Sequence, residues 1–164
     1  MPKNESYYTQ KWIRHMREHH PDWTVFKHAD AFTAGTPDIS VSFNQRTTWV
    51  EDKWVPFKPM EIQLWRVLTP GLQMFNMSRL AKVTSAFYMV VAKDYPTTKA
   101  PVLWIRGDHM LDHVRHETTL KPDMSLWSNW KPEWIYGRPI MFEDFNVEGL
   151  TSILRLIHRR RDGE

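Results

Sequence analysis

From Asp38 to Phe43 the chain alternates with a period of two, and Asn44-Gln45 then separates it from a second extended segment that carries Glu51 and Lys53. Ile39, Val41 and Phe43 fall on one face of an extended segment, while Asp38, Ser40 and Ser42 fall on the other. The spacing predicts antiparallel strands over Asp38 to Phe43 and Thr47 to Lys53, turning at Asn44-Gln45, with a further strand over Trp23 to His28. Trp49, Glu51 and Lys53 share one face of the second strand, so Glu51 and Lys53 meet Asp38 across the ladder.

Two carboxylates brought together repel, and one lysine neutralises only one of them. A divalent cation resolves the conflict. Mg²⁺ takes one or two carboxylates along with waters and phosphate oxygens, which suits Asp38 and Glu51 with the peptide carbonyl of Asp52; Mn²⁺ substitutes. Such an ion lowers the pKa of a bound water and stabilises phosphoryl charge, and Lys53 beside it orients that water or balances the charge. The competing reading of the same triplet is a surface salt-bridge ladder, which contributes little.

Eleven prolines punctuate the rest of the chain and exclude a long coiled coil. An opening helix is expected from near Asn4, with Tyr8, Trp12 and Met16 at helical spacing, ending before Pro21. Short helical pieces should start at Pro59 and Pro70, each in the first helical position, followed by strands over Ala86 to Ala92 and Val102 to Ile105. Leu150, Ile153, Leu154 and Ile157 form the apolar stripe of a closing helix. The order implies an α/β fold with a mixed central sheet and flanking helices. At 164 residues a single domain is expected, its core roughly residues 4–106 and its C-terminal elaboration 107–164. With no cysteine, thiolate metal sites and thiol nucleophiles are excluded. No apolar run is long enough to span a bilayer and no signal-peptide plan opens the chain, so no membrane partner is expected and the location predicted is cytoplasmic. The net charge of +3 permits nucleic-acid binding without requiring it.

Gly35-Thr36-Pro37-Asp38, a short hairpin, then Trp49-Val50-Glu51-Asp52-Lys53 and a segment bearing Gln63 together resemble the PD-(D/E)xK nuclease superfamily, in particular its VRR-NUC and Holliday junction resolvase branches. The resemblance runs from about Asn4 to Ala92. It implies a restriction-endonuclease-like αβββαβ core, Mg²⁺ dependence and phosphodiester hydrolysis. Asp38 and Glu51 would then be metal ligands, Lys53 the catalytic lysine, and Gln63 a residue on the following helix near the site. DNA is the expected partner of a small phage or bacterial enzyme, acting in the host cytoplasm if phage-encoded. The alternative is a nuclease-fold module that binds DNA or a protein without cutting. Trp54-Val55-Pro56-Phe57 after the lysine, and the tryptophan-rich C-terminal third, depart from the family pattern.

Further candidates surround this motif. Glu5 opens the buried stripe of the first helix, either as a first-turn acid favoured by the helix dipole or as a carboxylate reaching the metal site. Lys27, His28, Lys58 and Arg66 lie beside the expected cleft, and Arg159, Arg160 and Arg161 would contact phosphates without sequence preference or cap a helix C-terminus. His109, His113 and His116 have the spacing of a helical zinc site but also that of a solvated helix. Trp127, Trp130 and Trp134 suit base stacking, a satellite core, or the interface of a homodimer.

Overall fold

The computed structural model describes residues 5–28, 35–56, 62–63, 71–93, 99–100, 102–116, 119–120, 134–136 and 140–141, together with Thr151, Leu154, Arg155 and His158. The first element is helix α1 (Glu5–His19), which buries Tyr8, Thr9, Trp12, Ile13 and Met16 at helical spacing. It stops where Pro21 disfavours a further helical residue, and the His20 N–H still reaches the Met16 carbonyl at 2.9 Å.

Strands β1 (Thr24–Lys27), β2 (Ile39–Phe43) and β3 (Arg46–Pro56) follow as an antiparallel meander. Asn44 and Gln45 both have positive φ, 49° and 62°, as a two-residue hairpin turn matched to strand twist requires. After a short strand β4 (Ile62–Gln63) comes helix α2 (Leu72–Val83), which leads into β5 (Ser85–Lys93), parallel to β3. Next are β6 (Lys99–Ala100), β7 (Val102–Arg106), helix α3 (Gly107–Arg115), β8 (Thr119–Leu120), β9 (Trp134–Tyr136) and β10 (Ile140–Met141). The main sheet has six strands in the order β1-β2-β3-β5-β7-β9, with every neighbouring pair antiparallel except β3 and β5.

Alternation along the strands separates two faces. On one, Tyr8, Trp12, Ile13 and Met16 of α1 pack with Val25, Ile39, Val41, Val50, Phe87, Met89, Trp104 and Leu154. Trp12 is fully buried, edge-on to Trp104 at 6.0 Å, and donates its indole N–H to Thr151 Oγ1 at 3.2 Å. This ties the C-terminal helical residues to α1. On the other face lie α2 and α3, which bury Met74, Met77, Met110, Leu111 and Val114. Their close approach is visible at Gly107, where an added Cβ would stand 2.4 Å from the Met77 carbonyl oxygen.

Several expectations require correction. The segment expected to be helical after Pro59 contributes β4, whose Ile62 and Gln63 pair with Leu120 and Thr119 of β8; this partner lies more than fifty residues away, and local spacing cannot reveal it. Helix α2 begins at Leu72 with Gly71 as its N-cap, so Pro70 precedes the helix instead of opening it. Strand β3 runs on past Lys53 through Pro56 because β5 supplies a parallel partner along that whole length. In the closing helix Thr151, Leu154, Arg155 and His158 are helical and Leu154 is buried, while Leu150, Ile153 and Ile157 lie outside the described residues. Trp127 and Trp130 lie outside them too, and Trp134 begins β9. No described helix is long and apolar enough to cross a membrane.

Candidate active site

The register that ends β2 against β3 at Ile39↔Val50 places Asp38, one step further, opposite Glu51. Like charges directly opposite on a ladder destabilise it, so this pairing needs compensation. Asp38 Oδ2 accepts the backbone N–H of Asp52 at 3.0 Å, which fixes that carboxylate across the hairpin. Glu51 is only 2% exposed, and its carboxyl is held on both oxygens. Gln73 of α2 donates its amide N–H to Oε2 at 2.8 Å, and the Lys53 ammonium stands 3.4 Å from Oε1.

The Glu51 carboxyl is pushed up to about 9, first by burial and then by its hydrogen bond to Asp38 and that residue's charge; Lys53 opposes the shift without cancelling it. The upward shift favours the protonated form of Glu51 at neutral pH, with its hydrogen bond directed to Asp38. The neighbouring Tyr88, opposite Glu51 on β5, is buried, and its hydroxyl has no hydrogen-bond partner among the described residues. Burial, and secondarily the Glu51 charge, raises its phenol above the ordinary range.

The other sequence candidates separate by face. His28 extends β1 to the level of Asp38, its N–H donating to the Asp38 carbonyl at 2.7 Å and its Nε2 sharing a hydrogen bond of 2.8 Å with Ser40 Oγ, so it stands on the acid face. Lys27 does not. Its register partner Ile39 faces α1, and Lys27 lines a pocket of about 520 Å³ with Gln10, Arg14, Arg17 and Glu18 of that helix. The Asp52 carboxylate likewise faces α1, where it accepts the Thr9 hydroxyl, leaving only its backbone directed to Asp38. Gln63 lies in β4 and not on a helix; its side chain and that of Glu5 lie outside the described residues. So do Lys58, Arg66, Arg159, Arg160 and Arg161.

His109 lies within α3 beside Asp108, which is clamped by Arg106 at 2.7 and 2.5 Å, and His116 caps the helix. The His113 side chain lies outside the described residues. Among the described residues no group of three or more histidine, aspartate or glutamate side chains is arranged to hold a metal ion.

The helical glutamine at the acids is Gln73, which sequence reading passed over for Gln63. A helix returning from β3 to a parallel β5 starts near the carboxyl-terminal part of β3, so a polar residue in its first turn was the available signal.

Gly35 sets the approach of the loop that carries Asp38. Its φ is +88°, and an added Cβ would lie 2.5 Å from Asn76 Nδ2 and 3.0 Å from Leu72 Cγ, both on α2. Gly35→Ala is expected to lower stability by about 1–3 kcal/mol, since both backbone strain and a helix contact are affected. Urea melts check this, and an unchanged midpoint would contradict the assigned loop conformation.

Comparison of the chain with protein-family models and with curated proteins finds no match.

Proposed function

We propose that the protein is a Mg²⁺-dependent deoxyribonuclease of restriction-endonuclease-like fold that hydrolyses phosphodiester bonds, selecting DNA by structure. The observation that carries the reading is the convergence of Asp38, Glu51 and Lys53 on one sheet face beneath the first turn of α2. It is supported by the order α1-β1-β2-β3-β4-α2-β5, which with β4 set aside in its own two-stranded sheet with β8 leaves the αβββαβ sequence that the motif resemblance implies, β3 being parallel to β5.

The donor set suits a hard cation. Burial and the facing Asp38 disfavour charge on Glu51, and a divalent ion between the two carboxyls would relieve that penalty. Asp38 and Glu51, with the Asp52 carbonyl, would hold Mg²⁺ or Mn²⁺, which when bound supplies positive charge for phosphoryl oxygens and a water of lowered pKa.

The chain's own groups do the positioning. Gln73 and Lys53 grip separate oxygens of Glu51 and fix the plane of its carboxyl. The Asp52 N–H does the same for Asp38. Lys53, about a quarter exposed, presents its remaining N–H donors toward solvent, where they can orient an attacking water or balance charge on a phosphoryl oxygen.

Purified protein incubated with supercoiled, single-stranded and four-way-junction DNA, with and without Mg²⁺ or Mn²⁺, tests the reading. Cleavage that requires the ion supports it; binding without cleavage in either ion favours the non-catalytic module. Gln73→Ala is expected to raise the Mg²⁺ concentration for half-maximal cleavage by about 10–100-fold, because groups that orient ligands carry that much metal affinity. An unchanged Mg²⁺ titration would remove Gln73 from the site.

A further inference from the structure

Trp49 lies two residues before Glu51 on the same face of β3, about 7 Å away along the strand. Successive turns of α2 pass over this face in the opposite direction: Gln73 reaches Glu51, Asn76 and Leu80 lie over Trp49, and Thr84 after the helix donates to the Thr47 carbonyl. Between Trp49, α2 and the Gly35–Pro37 loop is a pocket of about 320 Å³. Pro37, Trp49 and Leu80 make its apolar surfaces, and Asn76 and Arg79 supply its polar groups. The loop side is fixed, since Asn76 Nδ2 donates to the Gly35 carbonyl at 3.5 Å.

Two further observations select the occupant. The Trp49 ring is partly exposed, and among the described residues its aromatic neighbour is His28, at 5.3 Å and tilted, which leaves the indole face toward the pocket open to a ligand ring. Arg79 is exposed and makes no ion pair among the described residues. An aromatic face and a cation side by side fit a flat ring joined to an anion. A volume at the small end of ligand sites takes one such ring, not a base pair stacked between its neighbours.

We infer that this pocket binds an unpaired nucleobase adjoining the phosphate at Asp38 and Glu51, with Trp49 stacking on the base and Arg79 contacting the flanking phosphate. The inference rests on the nuclease reading for its ligand, and it narrows the substrate to DNA with an unstacked nucleotide at the cut, as at a frayed end, flap or junction. Continuous duplex keeps its bases paired and cannot fill the pocket.

The test is binding in the absence of divalent cations, so that no cutting intervenes. The probe is a short single-stranded oligonucleotide carrying a fluorescent aminopurine base, compared with the same strand annealed into a blunt duplex. Wild type is expected to bind the single strand more tightly than the duplex and to quench the aminopurine. Trp49→Ala should weaken binding by about 5- to 100-fold and abolish the quench, while Trp49→Phe retains it. Arg79→Ala, at an exposed position where folding is not at issue, should weaken binding and reduce its salt slope by about one. Equal affinity for single strand and duplex, or wild-type binding by both Trp49→Ala and Arg79→Ala, overturns the inference. If Mg²⁺-dependent cleavage persists in that case, the nuclease reading stands without the pocket. If quenching follows the variants but no DNA is cut, the pocket stands and the nuclease reading falls.

Discussion

Asp38→Ala, Glu51→Gln and Lys53→Ala should each lower Mg²⁺-dependent phosphodiester cleavage by at least about a hundredfold while leaving a folded protein. The magnitude follows from what each group does. Loss of either carboxylate removes one of two side-chain oxygen donors proposed for the cation, and loss of one positioned donor or acid–base group ordinarily costs about 10²–10⁴ in rate. Lys53 should separate from the acids in one respect. Its removal depresses the rate at saturating Mg²⁺, whereas Asp38→Ala and Glu51→Gln also shift the Mg²⁺ requirement upward. Single-turnover cleavage of junction DNA across a Mg²⁺ series distinguishes these effects, with circular dichroism confirming the fold. Full activity in Asp38→Ala would remove the proposal, and full activity in Lys53→Ala would reduce the lysine to a partner of Glu51.

The acid pair was legible in sequence because everything that sets it is local. A two-residue turn at Asn44-Gln45 puts Phe43 against Arg46, and counting outward from there brings Asp38 opposite Glu51. Period-two alternation then decides which face they share. The same locality gave α1 its Tyr8, Trp12 and Met16 stripe. What escaped depends on partners remote in the chain. Gln63 entered a strand because Thr119 pairs with it, and Gln73 reached the site because β5 lies parallel to β3 and draws α2 across the acid face. Lys27 and His28 are adjacent in sequence, yet alternation sends one to α1 and the other to Asp38. Treating them together as cleft residues overlooked the rule that had placed the acids. Tyr88 offered no motif and Trp49 stood in one without a role of its own, so what each does comes only from its neighbours in the sheet and on α2.

Because the Glu51 carboxyl is shifted upward in the folded chain, the metal-free protein should lose stability as pH rises, and the Glu51→Gln variant should remove that loss. In the unfolded chain the carboxyl titrates near its ordinary 4.5; in the folded chain it does so near 9. Between those values the folded state keeps a proton that the unfolded state has released, so raising the pH favours unfolding. The contribution is fully present below the unfolded value and is lost as pH rises through the folded one, with a limiting slope of about 1.4 kcal/mol per pH unit. Other groups confine the useful window. His20 and His158 are shifted down, chiefly by burial, so they oppose the trend only below neutrality, and Tyr88 is shifted up beyond it. Melts between pH 7 and 9 in a chelator therefore isolate Glu51. Glutamine keeps a donor for Asp38 but cannot ionise, so Glu51→Gln should be more stable than wild type at pH 8 by about 2–5 kcal/mol, or roughly 5–15 °C in Tm. Mg²⁺ should raise the wild-type Tm at that pH with release of a proton, and should have little effect on the variant. A wild-type Tm that stays level from pH 7 to 9, or a variant with the wild-type slope, would show that Glu51 is ionised in the folded protein without a cation and that its partners alone stabilise the charge.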